Sequence, residues 1–285
     1  MKLINFVALF AAVALAAPAA DPAPAGELDS SPEAHTLERR GCVILIMTDS
    51  EPSPTLGKRK REDDSCQSLG IAPPSAYTFD SLIRITVGSS PNTRDFHIYK
   101  GLLTHYSTYF KAALNGNFKE SKEGVILLCT DDPEVFQIVC YWLFTGQLWD
   151  SRKVKKEGEV PLSWRLLCSI FVFGDARGIP ALRNAAIDGL MDKISDEWKL
   201  FTGQVKFIYQ NTPKKSLLRK LAVDMVVKTY PVDQLKESEC NLEYMMELAI
   251  ALESAGKRRL LSQEEWRKMN NCDYHDHDSV APPKS

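Results

Sequence analysis

The chain has 285 residues, 44% hydrophobic, 25% charged and 9% aromatic, with a formal net charge of −2. At about 150 residues per compact unit this length corresponds to roughly two units; the apolar content excludes a wholly disordered chain, and 16 Pro and 15 Gly without a period exclude a collagen-like one. With 35 basic against 37 acidic residues there is no global field for nucleic acid or membrane, so such binding would have to be local.

Residues 1–20 combine Met1-Lys2, an apolar run over 3–17 and the small residues Ala16-Ala17-Pro18-Ala19-Ala20, the pattern of a secretory signal peptide. The run is shorter than the ~20 apolar residues of a membrane span. The alternative is an ordinary core helix. The Pro/Ala/Glu-rich sequence that follows ends in Glu38-Arg39-Arg40-Gly41, which has the look of a propeptide with a dibasic processing site. Met47 then opens a second plausible start, leading to Lys58, Arg59, Lys60 and Arg61. Four cations in a Pro/Ser/Asp-rich stretch read as a nuclear-import patch or as a solvated linker. Secretion and import cannot both act on one molecule, so residues 1–46 are expected to be a foreign exon, an alternative start or a gene-model join. Residues 21–76 are expected to be disordered.

The first ordered signal is a strand in Leu82-Ile83-Arg84-Ile85-Thr86-Val87, β-branched and partly alternating. After a turn at Ser89-Ser90-Pro91-Asn92, Arg94-Asp95-Phe96-His97-Ile98 returns, so 82–98 reads as a hairpin. Leu102, Leu103, Tyr106, Tyr109, Phe110 and Leu114 predict two short helices broken near Ser107, and Val125-Ile126-Leu127-Leu128 a third strand. Asp132-Pro133-Glu134 is a helix start, Phe136, Val139, Cys140, Leu143 and Phe144 its buried stripe, and Gly146 its stop. The polar run 150–160 is expected to be a solvated loop. Beyond it the sequence is helical: Leu166, Leu167, Ile170 and Phe171 mark one helix ending near Gly178, and Pro180 opens another with Leu182, Ala186, Leu190 and Ile194 stacked. Amphipathic stretches follow at 197–210, 215–229, 241–254 and 262–270, and a polar, frayed tail from Asn271. The seven cysteines are odd in number and thinly spread; Cys129, Cys140 and Cys168 sit among apolar neighbours as small hydrophobes, which argues for a reduced, intracellular protein.

Four blocks occur together in order. They are Asp80-Ser81-Leu82-Ile83-Arg84-Ile85; Phe96-His97-Ile98-Tyr99-Lys100-Gly101-Leu102-Leu103 with Ser107-Thr108-Tyr109-Phe110; Asn117-Phe118-Lys119-Glu120-Ser121; and Asp131-Asp132-Pro133-Glu134-Val135-Phe136 with Trp142-Leu143-Phe144-Thr145-Gly146. On them residues 79–148 resemble a BTB/POZ domain, and the last block is most similar to BTB proteins of filamentous fungi. The resemblance implies an α+β fold, a BTB/POZ core over 77–149 in which a small sheet is covered by short helices, followed by an all-helical extension over 161–270 and a disordered tail over 271–285. Phe173-Gly174-Asp175-Ala176-Arg177-Gly178-Ile179-Pro180-Ala181-Leu182 is similar to the extension that packs on many BTB cores.

The same resemblance implies a non-catalytic protein-interaction module, an adaptor or scaffold with protein partners and self-association as a homodimer. Phe118 and Glu120 stand where relatives that recruit a cullin ubiquitin-ligase scaffold have a hydrophobic-x-Glu element. Asp80 and Tyr99 fall on a family pocket that usually pairs aspartate with histidine; a tyrosine there carries no cation and could offer only an ordinary hydrogen bond. A nuclear, transcription-related scaffold is the other mechanism, and a secreted protein follows if residues 1–20 act as a signal peptide; otherwise the location expected is nucleus or cytoplasm. No phosphate loop, dinucleotide fingerprint or hydrolase motif is present, so no catalytic residue is nominated, and neither cofactor, direct nucleic-acid contact nor membrane contact is expected. His97 and His105 read as satisfied histidines. Cys272-Asp273-Tyr274-His275-Asp276-His277-Asp278 is the one ligand-rich run, but without a second cysteine pair or a scaffold it is not assigned a metal.

Overall fold

The structure, a computed structural model, describes residues 36–39, 42–45, 74–116, 120, 123–154, 158–231 and 241–277. Strands β1 (Thr36–Arg39) and β2 (Cys42–Leu45) pair antiparallel within the stretch expected to be disordered. The reason is local: Cys42-Val43-Ile44-Leu45 is apolar and β-branched, which suits a strand.

The central sheet has three strands in the order β4-β3-β5. β3 (Leu82–Val87) pairs antiparallel with β4 (Arg94–Tyr99), the expected hairpin, and parallel with β5 (Val125–Leu128). A parallel pair needs a crossover, supplied here by α1 (Lys100–Tyr106) and α2 (Thr108–Asn115). Ile83, Ile85, Val87, Ile98, Ile126 and Leu128 form the inner face and are buried. Ser107 separates the two helices because its hydroxyl does what a continued helix could not: it caps α2 by accepting from the Phe110 N–H at 3.0 Å.

Helix α3 (Pro133–Thr145) begins on Asp132, whose carboxylate accepts from the Glu134 N–H at 2.8 Å, and ends on Gly146 at φ 70°. Its buried side chains are Val135, Phe136, Val139, Trp142 and Leu143; Cys140 is half-buried and Phe144 is 52% exposed. The expected stripe was therefore displaced toward Trp142, which packs against Tyr106 at 5.1 Å between ring centroids. Phe144 sits about 160° around the helix from Trp142, on the side away from that face.

The loop after α3 is pinned rather than free. Leu148 and Val160 are buried, Ser151–Lys153 form a 3₁₀ turn, and the buried Lys193 ammonium donates to the Val160 carbonyl at 3.1 Å. Helices α4 (Trp164–Ala176) and α5 (Pro180–Glu197) then pack closely, with Leu182, Ala186, Leu190 and Ile194 fully buried as the four-residue spacing requires. Trp198 in the left-handed region ends α5, so of the stretch 197–210 only α6 (Val205–Asn211) is α-helical beyond it. α7 (Leu217–Thr229), α8 (Leu242–Ala255) and α9 (Gln263–Arg267) complete the array.

The carbonyl ends of three of these helices are closed by donors from elsewhere in the chain. Arg267 and Gln263 donate to the Ser195 carbonyl of α5 at 2.8 and 2.7 Å, Arg219 to the Tyr209 carbonyl of α6 at 3.0 Å, and Arg258 to the Val226 and Val227 carbonyls of α7 at 3.2 and 2.9 Å. Cations suit this end of a helix because its last carbonyls lack partners and carry the negative end of the dipole.

Gly178 (φ +56°) fits where a Cβ would lie 2.1 Å from the Thr108 hydroxyl, whereas Gly146 (φ +70°) has open space around it. Gly146→Ala meets only the left-handed conformational cost, about 1–2 kcal/mol, and Gly178→Ala adds a clash for a loss of about 3 kcal/mol. Urea unfolding of the two variants should give midpoints in that order.

Candidate interaction surfaces

Two features of the sheet-and-helix unit bear on binding: how it is anchored and what it leaves uncovered. The anchor is the turn between α4 and α5. Ser107 donates its hydroxyl to the Arg177 carbonyl at 2.6 Å, the Thr108 N–H donates to the Gly178 carbonyl at 3.2 Å, and the Phe136 and Phe173 rings meet edge-on at 5.7 Å. The Arg177 guanidinium pairs with the Asp131 carboxylate and lies 4.7 Å over the Tyr109 ring. One continuous hydrophobic core therefore runs from the sheet into the helical array.

Burial pushes the Asp131 carboxyl up, and the nearby Arg177 charge only partly offsets this. The side chains of the pair are 15% and 16% exposed, so each charge has lost most of its water and relies on the other as its counter-charge.

The uncovered surface lies at the start of β3. Tyr77 and Leu82 are 91% and 58% exposed, and Phe79 packs edge-on against Tyr99 with ring centroids 5.2 Å apart. Tyr99 is the register partner of Leu82, so Phe79, Tyr99 and Leu82 form one apolar cluster beside α1. Exposed apolar side chains grouped in this way make the cluster a candidate contact surface.

Asp80 and Tyr99 do not form the hydrogen bond that the sequence allowed. Asp80 instead accepts from the Ser81 N–H at 2.6 Å and the Ser81 hydroxyl at 3.3 Å, and the first of these holds its carboxyl below the ordinary range although it is exposed. Tyr99 turns to Phe79 because ring-on-ring packing is available there. Glu120 is half-buried between α2 and β5, its carbonyl accepting from the Gly124 N–H at 3.0 Å. Phe118, residues 1–20 and the cations Lys58, Arg59, Lys60 and Arg61 lie outside the described residues. His97 and His105 are both exposed, and the His105 ring packs edge-on against Tyr106 at 4.7 Å.

The segment from Asn271 is a correction to the expected tail as far as residue 277. Asn271–Tyr274 form a 3₁₀ turn, and Tyr274 is fully buried, its hydroxyl accepting from the Lys228 ammonium at 2.9 Å and donating to Asp224 at 3.1 Å. His275 Nε2 lies 2.9 Å from an Asp188 oxygen, and Asp276 pairs with Arg183. One deeply buried aromatic with both polar ends of its hydroxyl matched outweighs the polarity of its neighbours, which sequence periodicity cannot register. Among the described residues no group of three or more His, Cys, Asp or Glu could hold a metal ion. Cys129 and Cys272 are disulfide-bonded, against the expectation of a small free hydrophobe at Cys129. Cys140 and Cys168 are free, and burial pushes both thiols up to about 12, which leaves them unreactive near neutral pH. No helix among the described residues is long and apolar enough to cross a membrane.

A small mixed sheet, two short crossover helices, a capped third helix and a helical extension sharing its core make up an α+β unit. The family model of the BTB/POZ domain matches residues 81–158, and this part of the chain is a BTB/POZ domain, followed by a helical C-terminal region. No curated protein matches the chain.

The Asp131–Arg177 contact yields a pair of variants that differ in pH dependence. Arg177→Ala leaves a buried carboxylate alone and Asp131→Asn a buried guanidinium without its counter-charge, and each is expected to cost about 3 kcal/mol at pH 7. Because burial raises the folded-state pKa of Asp131, its ionised form opposes folding, and that penalty appears as pH rises past the unfolded value. The Arg177→Ala deficit should therefore shrink on acidification toward pH 4, as read by denaturation at several pH values.

Proposed function

We propose that the chain is a non-catalytic adaptor or scaffold that self-associates through the apolar cluster at Phe79, Leu82 and Tyr99 and presents its helical region to a second protein. The BTB/POZ family is a protein-interaction family, which supports the coarse reading. The single observation that carries the finer one is that large apolar side chains are uncovered at the opening of β3 while the inner side chains of the same unit are buried. In a symmetric dimer one patch serves twice, so a short stripe can close on itself without a separate partner sequence.

Cullin recruitment through Phe118 and Glu120 is the proposed second contact. It is supported by the hydrophobic-x-Glu spacing just before β5 and by a helical extension packed onto the domain. The proposed location is intracellular, nuclear if Lys58, Arg59, Lys60 and Arg61 are read by an import receptor.

Sedimentation velocity should show Leu82→Glu shifting the chain to a smaller species with unchanged helicity; an unchanged size distribution would remove the dimer surface. In a pull-down, cullin should be recovered with the wild-type chain and reduced at least tenfold with Phe118→Ala. Recovery with neither ends the ligase reading. Imaging of the tagged chain with and without residues 1–46 tests the location, with secretion of the full chain as the contrary result.

A further inference from the structure

Helix α8 is apolar on two opposite faces. Tyr244 and Leu248 are buried against the array, while on the other side Leu242, Met246 and Ile250 are 78%, 60% and 63% exposed. At 100° per residue these three, with exposed Ala249 between them, lie in one stripe that ends on exposed Glu253. The helix is held in place from behind: the buried Arg219 guanidinium reaches Glu243 at 3.1 Å and the Tyr209 hydroxyl donates to Glu247 at 2.5 Å. The stripe is thus a fixed surface, with its charged neighbours Glu243 and Glu247 already paired inward.

We infer that this stripe docks against the same stripe of a second copy, the two α8 helices running antiparallel, as a self-association face separate from the BTB cluster. The charges select both the occupant and the direction. Glu253 has no ion-pair partner among the described residues, and Lys214, whose side chain is 84% exposed, lies 4.0 Å from Glu243 at the opposite end of α8. An antiparallel copy sets each Glu253 beside the partner helix's first turn, where the buried Arg219 neutralises Glu243 at 3.1 Å and the positive dipole end and Lys214 favour a further carboxylate. A parallel copy would oppose Glu253 to Glu253. Met246 then packs beside Ala249 and Ile250 of the copy, and a second molecule supplies the matching apolar stripe and the complementary charge at once. Two stripes of this length bury on the order of 800 Å² in total, below the ~1,200 Å² of a standard interface, so the contact is concentration-dependent.

Sedimentation velocity of the chain across a hundredfold concentration range tests this, with Leu82→Glu as background to remove the BTB contact. In that background an association step should remain. Met246→Lys should abolish it and Glu253→Lys weaken it at least fivefold, while circular dichroism stays that of the parent. Lys214→Glu combined with Glu253→Lys should restore it. An association step insensitive to Met246→Lys, or no step at all in the Leu82→Glu background, overturns the proposal. Failure of the charge swap to restore association overturns the antiparallel arrangement.

Discussion

A three-stranded sheet has one face to hide and too little area to hide it by itself, so its stability depends on what the covering helices are in turn packed against. Here Phe136 of α3 meets Phe96 of β4 on one side and Phe173 of α4 on the other. The turn after α4 closes the arrangement: Ser107 reads the carbonyl of Arg177, Thr108 reads that of Gly178, and the Arg177 side chain returns to Asp131. Ser107 does two things with one hydroxyl, capping α2 and holding the distant turn, which ties the break between α1 and α2 to the position of the helical region. The unit matched to the BTB/POZ family and the extension behind it therefore share a core.

The helical region follows a second rule, electrostatic rather than apolar. α5, α6 and α7 each finish on carbonyls that receive donors from another part of the chain: Arg267 and Gln263, Arg219, and Arg258. Where the charge is withdrawn from water together with the carbonyls, as at the buried Arg219, it resists removal more than a surface ion pair does. The C-terminal segment 271–277 extends this pattern, docking Tyr274 between Lys228 and Asp224 and His275 on Asp188. Among the described residues, the exposed apolar side chains include those of the Phe79–Tyr99–Leu82 cluster and of the outer side of α8.

Binding by such surfaces fits the coarse function. Buried apolar area supplies affinity without any group of perturbed reactivity, and the two free thiols of the described core are held unreactive by burial.

Much of this was legible in the residues themselves. Periodicity and capping chemistry marked β3, β4, β5, the break at Ser107, the start of α3 at Asp132-Pro133 and its end at Gly146, because those signals are local: a strand pattern, a cap and a left-handed glycine each act within a few residues. The linear order of four motif blocks named the domain for the same reason. Other features depended on residues far apart in the chain. The burial of Trp142 in place of Phe144, the docking of Tyr274 onto α7, the turning of Tyr99 to Phe79 instead of Asp80, and the outward face of α8 were decided only when helices met. An apolar helix announces that it has something to bury; which of its sides finds a neighbour is a property of the packed array.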